Sequence, residues 1–112
     1  MKTSELQGAA LDWAVAECEG IETKNYSGAL TIRYDGDWWQ PSTDWAQGGP
    51  IIEREAIEIF KRDEEWFAYS VNSKPEDFQG PTPLIAAMRC YVASKMGEEV
   101  EVPDELLQGE EA

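Results

Sequence analysis

The chain has 112 residues, with 9 Lys and Arg against 23 Asp and Glu, a net charge of −14 and no histidine. Its length gives one domain, and an apolar content of 42% with 11% aromatic residues excludes disorder over most of it. The charge excludes duplex nucleic acid and an anionic membrane as direct partners, because both would repel it.

A capping box of Ser4 with Gln7 predicts a first helix over Ser4–Glu19, with Leu6, Ala10, Trp13, Ala14 and Cys18 as its apolar stripe and Gly20 as its stop. Gly8 weakens that helix. This opening has no signal-peptide h-region, and no stretch approaches the length of a membrane span. Cys18 and Cys90 are far apart with no CxxC, so they read as reduced core thiols of a cytoplasmic protein and zinc is not expected.

Ala29–Tyr34 alternates as a strand, and Asp35-Gly36-Asp37 signals a turn. A long polar-aromatic loop, Trp38 to Pro50, follows. Ile51–Ile59 opens as a helical turn after Pro50 and becomes a strand over Ala56–Lys61. Asp63-Glu64-Glu65 reads as a hairpin loop leading to a strand over Trp66–Val71, and Asn72–Gly80 as a surface connection. Thr82 at the N-cap and Pro83 at the first helical position start a second helix that Gly97 ends. Leu84, Met88, Tyr91 and Lys95 form one row on it, and Ile85, Arg89, Val92 and Met96 the next. Residues 1–97 are the expected domain. The acidic tail, 98–112, holds seven acids and no base, and removing its charge from −14 leaves −7 for the body. Val100 and Val102 suit an edge strand and Leu106-Leu107 a docking point, the remainder being solvated.

These elements predict an α+β fold: a small antiparallel sheet of Ala29–Tyr34, Ala56–Lys61 and Trp66–Val71 with two helices packed on one face. Trp66, Ala68 and Ser70 would face one side of that sheet and Phe67, Tyr69 and Val71 the other. Aromatic residues on both faces predict a homo-oligomer, most simply a dimer.

Three of the five tryptophans fall within Trp38–Trp45. Tryptophan offers a flat face for a ring, Ser42, Thr43, Asp44 and Gln47 offer hydrogen bonds, and Gly48-Gly49 permits close backbone approach. That is the composition of a small-molecule pocket, or of a small core with turn chemistry. Arg54 and Arg89 are either anion anchors or partners of Glu53, Glu55 or Asp44 in structural salt bridges. A pocket with two arginines is locally positive even in an acidic chain. Neither GxGxxG nor GxxxxGK[ST] occurs, and without histidine no Ser/His or Cys/His pair exists. No catalytic residue, metal ligand or cofactor is therefore expected.

The run Ser42-Thr43-Asp44-Trp45-Ala46-Gln47-Gly48-Gly49-Pro50-Ile51-Ile52-Glu53-Arg54-Glu55 resembles the signature of the NinX-like proteins of tailed phages. Gly80–Lys95 resembles that family's second block, and Met1–Leu6 with Leu11–Ala16 its opening. The resemblance implies a small accessory phage protein made in the bacterial host cytoplasm. Some small phage accessory proteins counter host defence by sequestering cyclic or ADP-ribose-type nucleotide signals. By that analogy the expected function is non-catalytic binding of a nucleotide-derived immune signal at Ser42, Thr43, Asp44, Trp45, Gln47, Gly48, Gly49, Arg54 and Arg89. The alternative is an acidic inhibitor that docks on a basic host protein or mimics DNA. A hydrolase of such a nucleotide is a third reading.

Overall fold

The computed structural model describes residues 1–21, 24–26, 31–34, 37–71, 77–103 and 106. A 3-10 turn, Thr3–Glu5, leads into helix α1, Gly8–Glu19. Three short strands follow: β1, Lys24–Tyr26, β2, Thr31–Tyr34, and β3, Asp37–Trp38. Helix α2, Trp45–Arg54, precedes β4, Ile57–Arg62, and β5, Glu65–Ser70. β6, Phe78–Gly80, and helix α3, Pro83–Met96, complete the order.

The fold is α+β, as the sequence predicts, and every strand pair is antiparallel. The described strands form two sheets rather than one, β1-β2-β3 and β4-β5-β6. β2 therefore does not join the Ala56–Lys61 and Trp66–Val71 strands, because β1 and β3 take both of its edges. Ala29, Leu30, Asp35, Gly36 and Leu107 lie outside the described residues, as does most of the acidic tail.

α3 is the centre of the molecule. It packs on β4, β5 and β6, and also against α1, α2 and the 3-10 turn. Its buried residues therefore run round the helix: Leu84, Ala86, Ala87, Met88, Cys90, Tyr91 and Val92. Its start is fixed as its sequence predicts, with the Thr82 hydroxyl accepting from Ile85 N at 3.1 Å and Pro83 in the first turn.

The expected Ser4–Gln7 capping box does not form. The N-cap of α1 is Gln7, with no side-chain cap bond. Thr3 is instead pinned to the end of α3: its hydroxyl donates to Gly97 O at 2.6 Å and its N–H to Glu98 O at 2.8 Å. Gly8 opens the helix at φ +56°, a corner that a side chain would resist. Residues after α3 continue this pairing. Lys2 bridges Glu99, the N-terminal ammonium donates to Val100 O at 2.9 Å, and Val100 and Leu106 are buried.

The β4–β5 hairpin turns on Asp63 and Glu64, both at positive φ, the backbone of a type I′ turn. The Asn72–Gly80 connection contains β6, paired to β5 through Trp66↔Gly80 and Ala68↔Phe78, while 72–76 lie outside the described residues.

Candidate functional site

The segment expected to be a long loop, Trp38 to Pro50, ends β3 at Trp38, turns through 39–44 and enters helix α2 at Trp45, and its polar groups serve that helix. Asp44 caps it, its carboxylate accepting from Ala46 N at 2.9 Å. Gln47 accepts from Gln40 N at 2.7 Å and donates to Trp38 O at 2.8 Å, stapling the approach to the helix. Thr43 Oγ1 lies 3.4 Å from Gln40 O. Gly48 allows close packing: a Cβ there would stand 2.6 Å from both Pro41 O and Leu84 Cδ2. Gly49 has open space around it. Trp39 is buried, and Trp45, at 54% exposure, stands in solvent.

Ser42 is fully buried. Its N–H donates to the Asp12 carboxylate at 2.9 Å, and its hydroxyl has no hydrogen-bond partner among the described residues. Trp39 Nε1 donates to the Asp12 carbonyl at 2.9 Å, so α1 grips this segment at two points. Asp12 is 6% exposed, and burial raises its carboxyl to about 6, offset in part by the bonding to Ser42.

Arg54 leaves the far end of α2 and is consumed by its neighbours. Its Nη1 and Nη2 donate to the two Glu19 carboxylate oxygens at 3.1 and 2.5 Å. Its Nε donates to Glu55 at 2.9 Å, and Nη2 also reaches the Tyr91 hydroxyl at 3.2 Å. Tyr91 in turn donates to Glu19. Burial pushes Glu19 up, but the bonds from Arg54 and Tyr91 outweigh it and hold the carboxyl below its ordinary value. Of the two readings of Arg54, the salt bridge is the one its geometry displays: of the three acids considered, Glu53, Glu55 and Asp44, it is Glu55 that pairs, and Glu19 joins it.

Arg89 is held differently. Its Nε donates to Leu6 O at 2.7 Å and its Nη1 to Gln79 O at 2.8 Å. Both acceptors are backbone carbonyls, and no carboxylate among the described residues lies within ion-pair distance of it. Burial lowers its pKa and the charge of Glu5 opposes that shift, yet a guanidinium stays protonated at neutral pH. The side chain is thus aimed by two fixed contacts, and among the described residues Nη2 has no hydrogen-bond partner.

Arg89 lines a cleft of about 890 Å³, within the size of small-molecule sites. Lys2 and Ser4 enter it from the N-terminal segment, Phe78, Gly80 and Pro81 from the β6 end, and carboxylates from Glu64, Glu65, Asp77, Glu98 and Glu99 rim it. Gly80 lets β6 close on α3, since a Cβ there would stand 2.6 Å from Ala86 N. Of the residues expected to form one site, Ser42, Thr43, Asp44, Trp45, Gln47, Gly48 and Gly49 gather around the start of α2, Arg54 stands at its end, and Arg89 alone reaches this cleft. The sequence does not single out Lys2 or Phe78 as site residues, and Ser4 reads there only as a helix cap.

Among the described residues no three acidic or thiol groups are placed to share a metal ion. Burial pushes the Cys18 thiol up to about 12 and the Cys90 thiol to about 11, so neither supplies a thiolate nucleophile at neutral pH. No described helix is long and apolar enough to cross a membrane.

The chain is thus a small acidic α+β domain with a polar cleft beside Arg89. The family model described as Bacteriophage P22, NinX matches residues 2–95, and the chain belongs to that family of phage proteins. No curated protein matches it.

Proposed function

We propose that this phage protein is a non-catalytic binder of a nucleotide-type anion, that its site is the Arg89 cleft, and that in the host cytoplasm it sequesters a nucleotide-derived defence signal. The observation that carries the reading is Arg89 itself: a half-buried guanidinium oriented by two backbone carbonyls, with no carboxylate within ion-pair distance among the described residues. A guanidinium in that state is suited to a phosphate, which accepts from it in a fork. Lys2 adds a second positive charge. The partly exposed Phe78 ring offers a face for a base, and rim carboxylates such as Asp77 and Glu99 suit ribose hydroxyls and base amines, which are donors.

The test is calorimetric titration with ADP, ADP-ribose and a cyclic dinucleotide as probes. Saturable binding of one of them, weakened at least about tenfold by Arg89→Gln, is expected. The nucleotide recovered after heat denaturation is expected intact. No heat from any probe, or equal affinity in Arg89→Gln, contradicts the proposal.

The cleft rim also favours a second reading. Five carboxylates stand against two side-chain cations there, in a chain of charge −14, and a basic protein surface would complement them. Neutralising Glu64, Glu65, Glu98 and Glu99 together separates the two. It abolishes salt-sensitive docking on a basic partner, whereas phosphate binding through Arg89 survives it.

A further inference from the structure

The face of β4 and β5 turned away from α3 carries an organised aromatic patch. Register places Glu58 opposite Tyr69, Phe60 opposite Phe67 and Arg62 opposite Glu65. Because alternate residues share a face, these six side chains stand on one side of the hairpin. The other side, with Ile57, Ala68 and Ser70 buried, is the one that packs inward. On the outer side Phe60 and Phe67 stack with centroids 5.5 Å apart and planes 14° apart, and Tyr69 meets Phe60 edge-on at 6.2 Å. All three rings are only partly buried.

Charges flank the rings in a definite order. Arg62 lies over Phe60 and Phe67, 5.1 and 5.2 Å from their centroids, and forms no ion pair among the described residues although Glu65 is its register partner. At the other end Glu58 stands opposite Tyr69 in the register, close enough for its carboxylate to raise the tyrosine's pKa, and it too forms no ion pair among the described residues. The patch thus runs from an unpaired anion through aromatic rings to an unpaired cation, over roughly 13 Å of strand.

We infer that this face is the interface of a homodimer in which Glu58 of each copy meets Arg62 of the other across a shared layer of Phe60, Phe67 and Tyr69. A two-fold axis lying between the sheets and running across the strands reverses strand direction from one copy to the other. It therefore lays the anionic end on the cationic end twice over, which makes the patch self-complementary. A nucleic-acid strand stacked on the same rings would need basic flanks, and Glu58 and Glu65 supply the opposite. The −14 charge of each copy opposes association, but at physiological salt it is screened over about 8 Å, so charges far from the patch contribute little.

Sedimentation equilibrium over a micromolar concentration series tests this. The mass is expected to rise from the 12.6 kDa of one chain toward twice that value. Glu58→Arg and Arg62→Glu, each at an exposed position that leaves the circular dichroism spectrum unchanged, should each weaken association about tenfold. The double variant should recover it, because the swapped charges pair again across the axis. A chain that remains at 12.6 kDa throughout overturns the inference. So does a double variant no better than the two single ones.

Discussion

Two arginines occupy matching positions in the sequence argument and opposite positions in the structure. Arg54 gives all three of its nitrogens to partners, two of them the oxygens of Glu19, and it knits α1, α2 and α3 at one corner. Arg89 is tied to Leu6 and Gln79 through backbone carbonyls only, and it faces an open cleft. A carbonyl carries no net charge, so it fixes direction without cancelling the cation. The difference separates an arginine whose charge the fold has consumed from one whose charge is still on offer, and solvent exposure does not reveal it. Arg54 is the more exposed residue, at 50% of its side chain.

The heaviest perturbation should come from the cleft wall. Gly80→Ala forces a Cβ against Ala86 backbone, which cannot yield as a flexible side chain would. A loss of about 3 kcal/mol is expected by denaturant melts, together with loss of ligand binding as β6 and the Gln79 carbonyl shift.

Asp12 comes next, and its effect depends on pH. Burial raises it from 3.8 to about 6, so between those values the folded chain holds a proton that the unfolded chain has released. Stability contributed by this group therefore rises as pH falls through about 6, and the ionised carboxylate costs the fold roughly 2–3 kcal/mol above it. Asp12→Asn should raise the melting temperature at neutral pH and flatten that window. Glu19 has the opposite sign. Its lowered pKa contributes stability that is present at neutral pH and lost in acid, as pH falls through the value it has in the fold.

At the Arg54 corner, Glu19→Gln should cost about 1 kcal/mol, modest because Arg54 is half in solvent, and it should leave ligand affinity in the cleft unchanged. Trp45→Ala should do least. An exposed ring at the start of α2 changes stability by less than about 0.5 kcal/mol and leaves cleft binding intact, as thermal melts and calorimetry would show.

Much of this architecture is legible in the chain. Thr82, Pro83 and Gly97 mark α3 to the residue, and the paired apolar runs locate β4 and β5 to within one position, because caps and alternation are local chemistry. α2 is not legible. Gly48, Gly49 and Pro50 are helix breakers locally, and the helix survives because Asp44 caps it and Gly48 and Ile51 bury against the rest of the fold. β1 and β6 are three residues each, too short for alternation to register. Nor could the sequence rank the two arginines, since Glu19 lies 35 residues from Arg54 and the acceptors of Arg89 are backbone atoms common to every residue. Asp12 left one trace, an acid inside the apolar run Leu11–Ala16.

The contrast between the two arginines can be read in one titration. ADP-ribose is added to the unaltered chain, to Arg54→Gln and to Arg89→Gln, each kept well below its melting temperature, and the dissociation constant is measured by calorimetry. If Arg89 alone has charge to spare, Arg54→Gln binds as the unaltered chain does and Arg89→Gln binds at least about tenfold more weakly. Equal weakening by both variants, or weakening by Arg54→Gln alone, contradicts the assignment of the site to the Arg89 cleft.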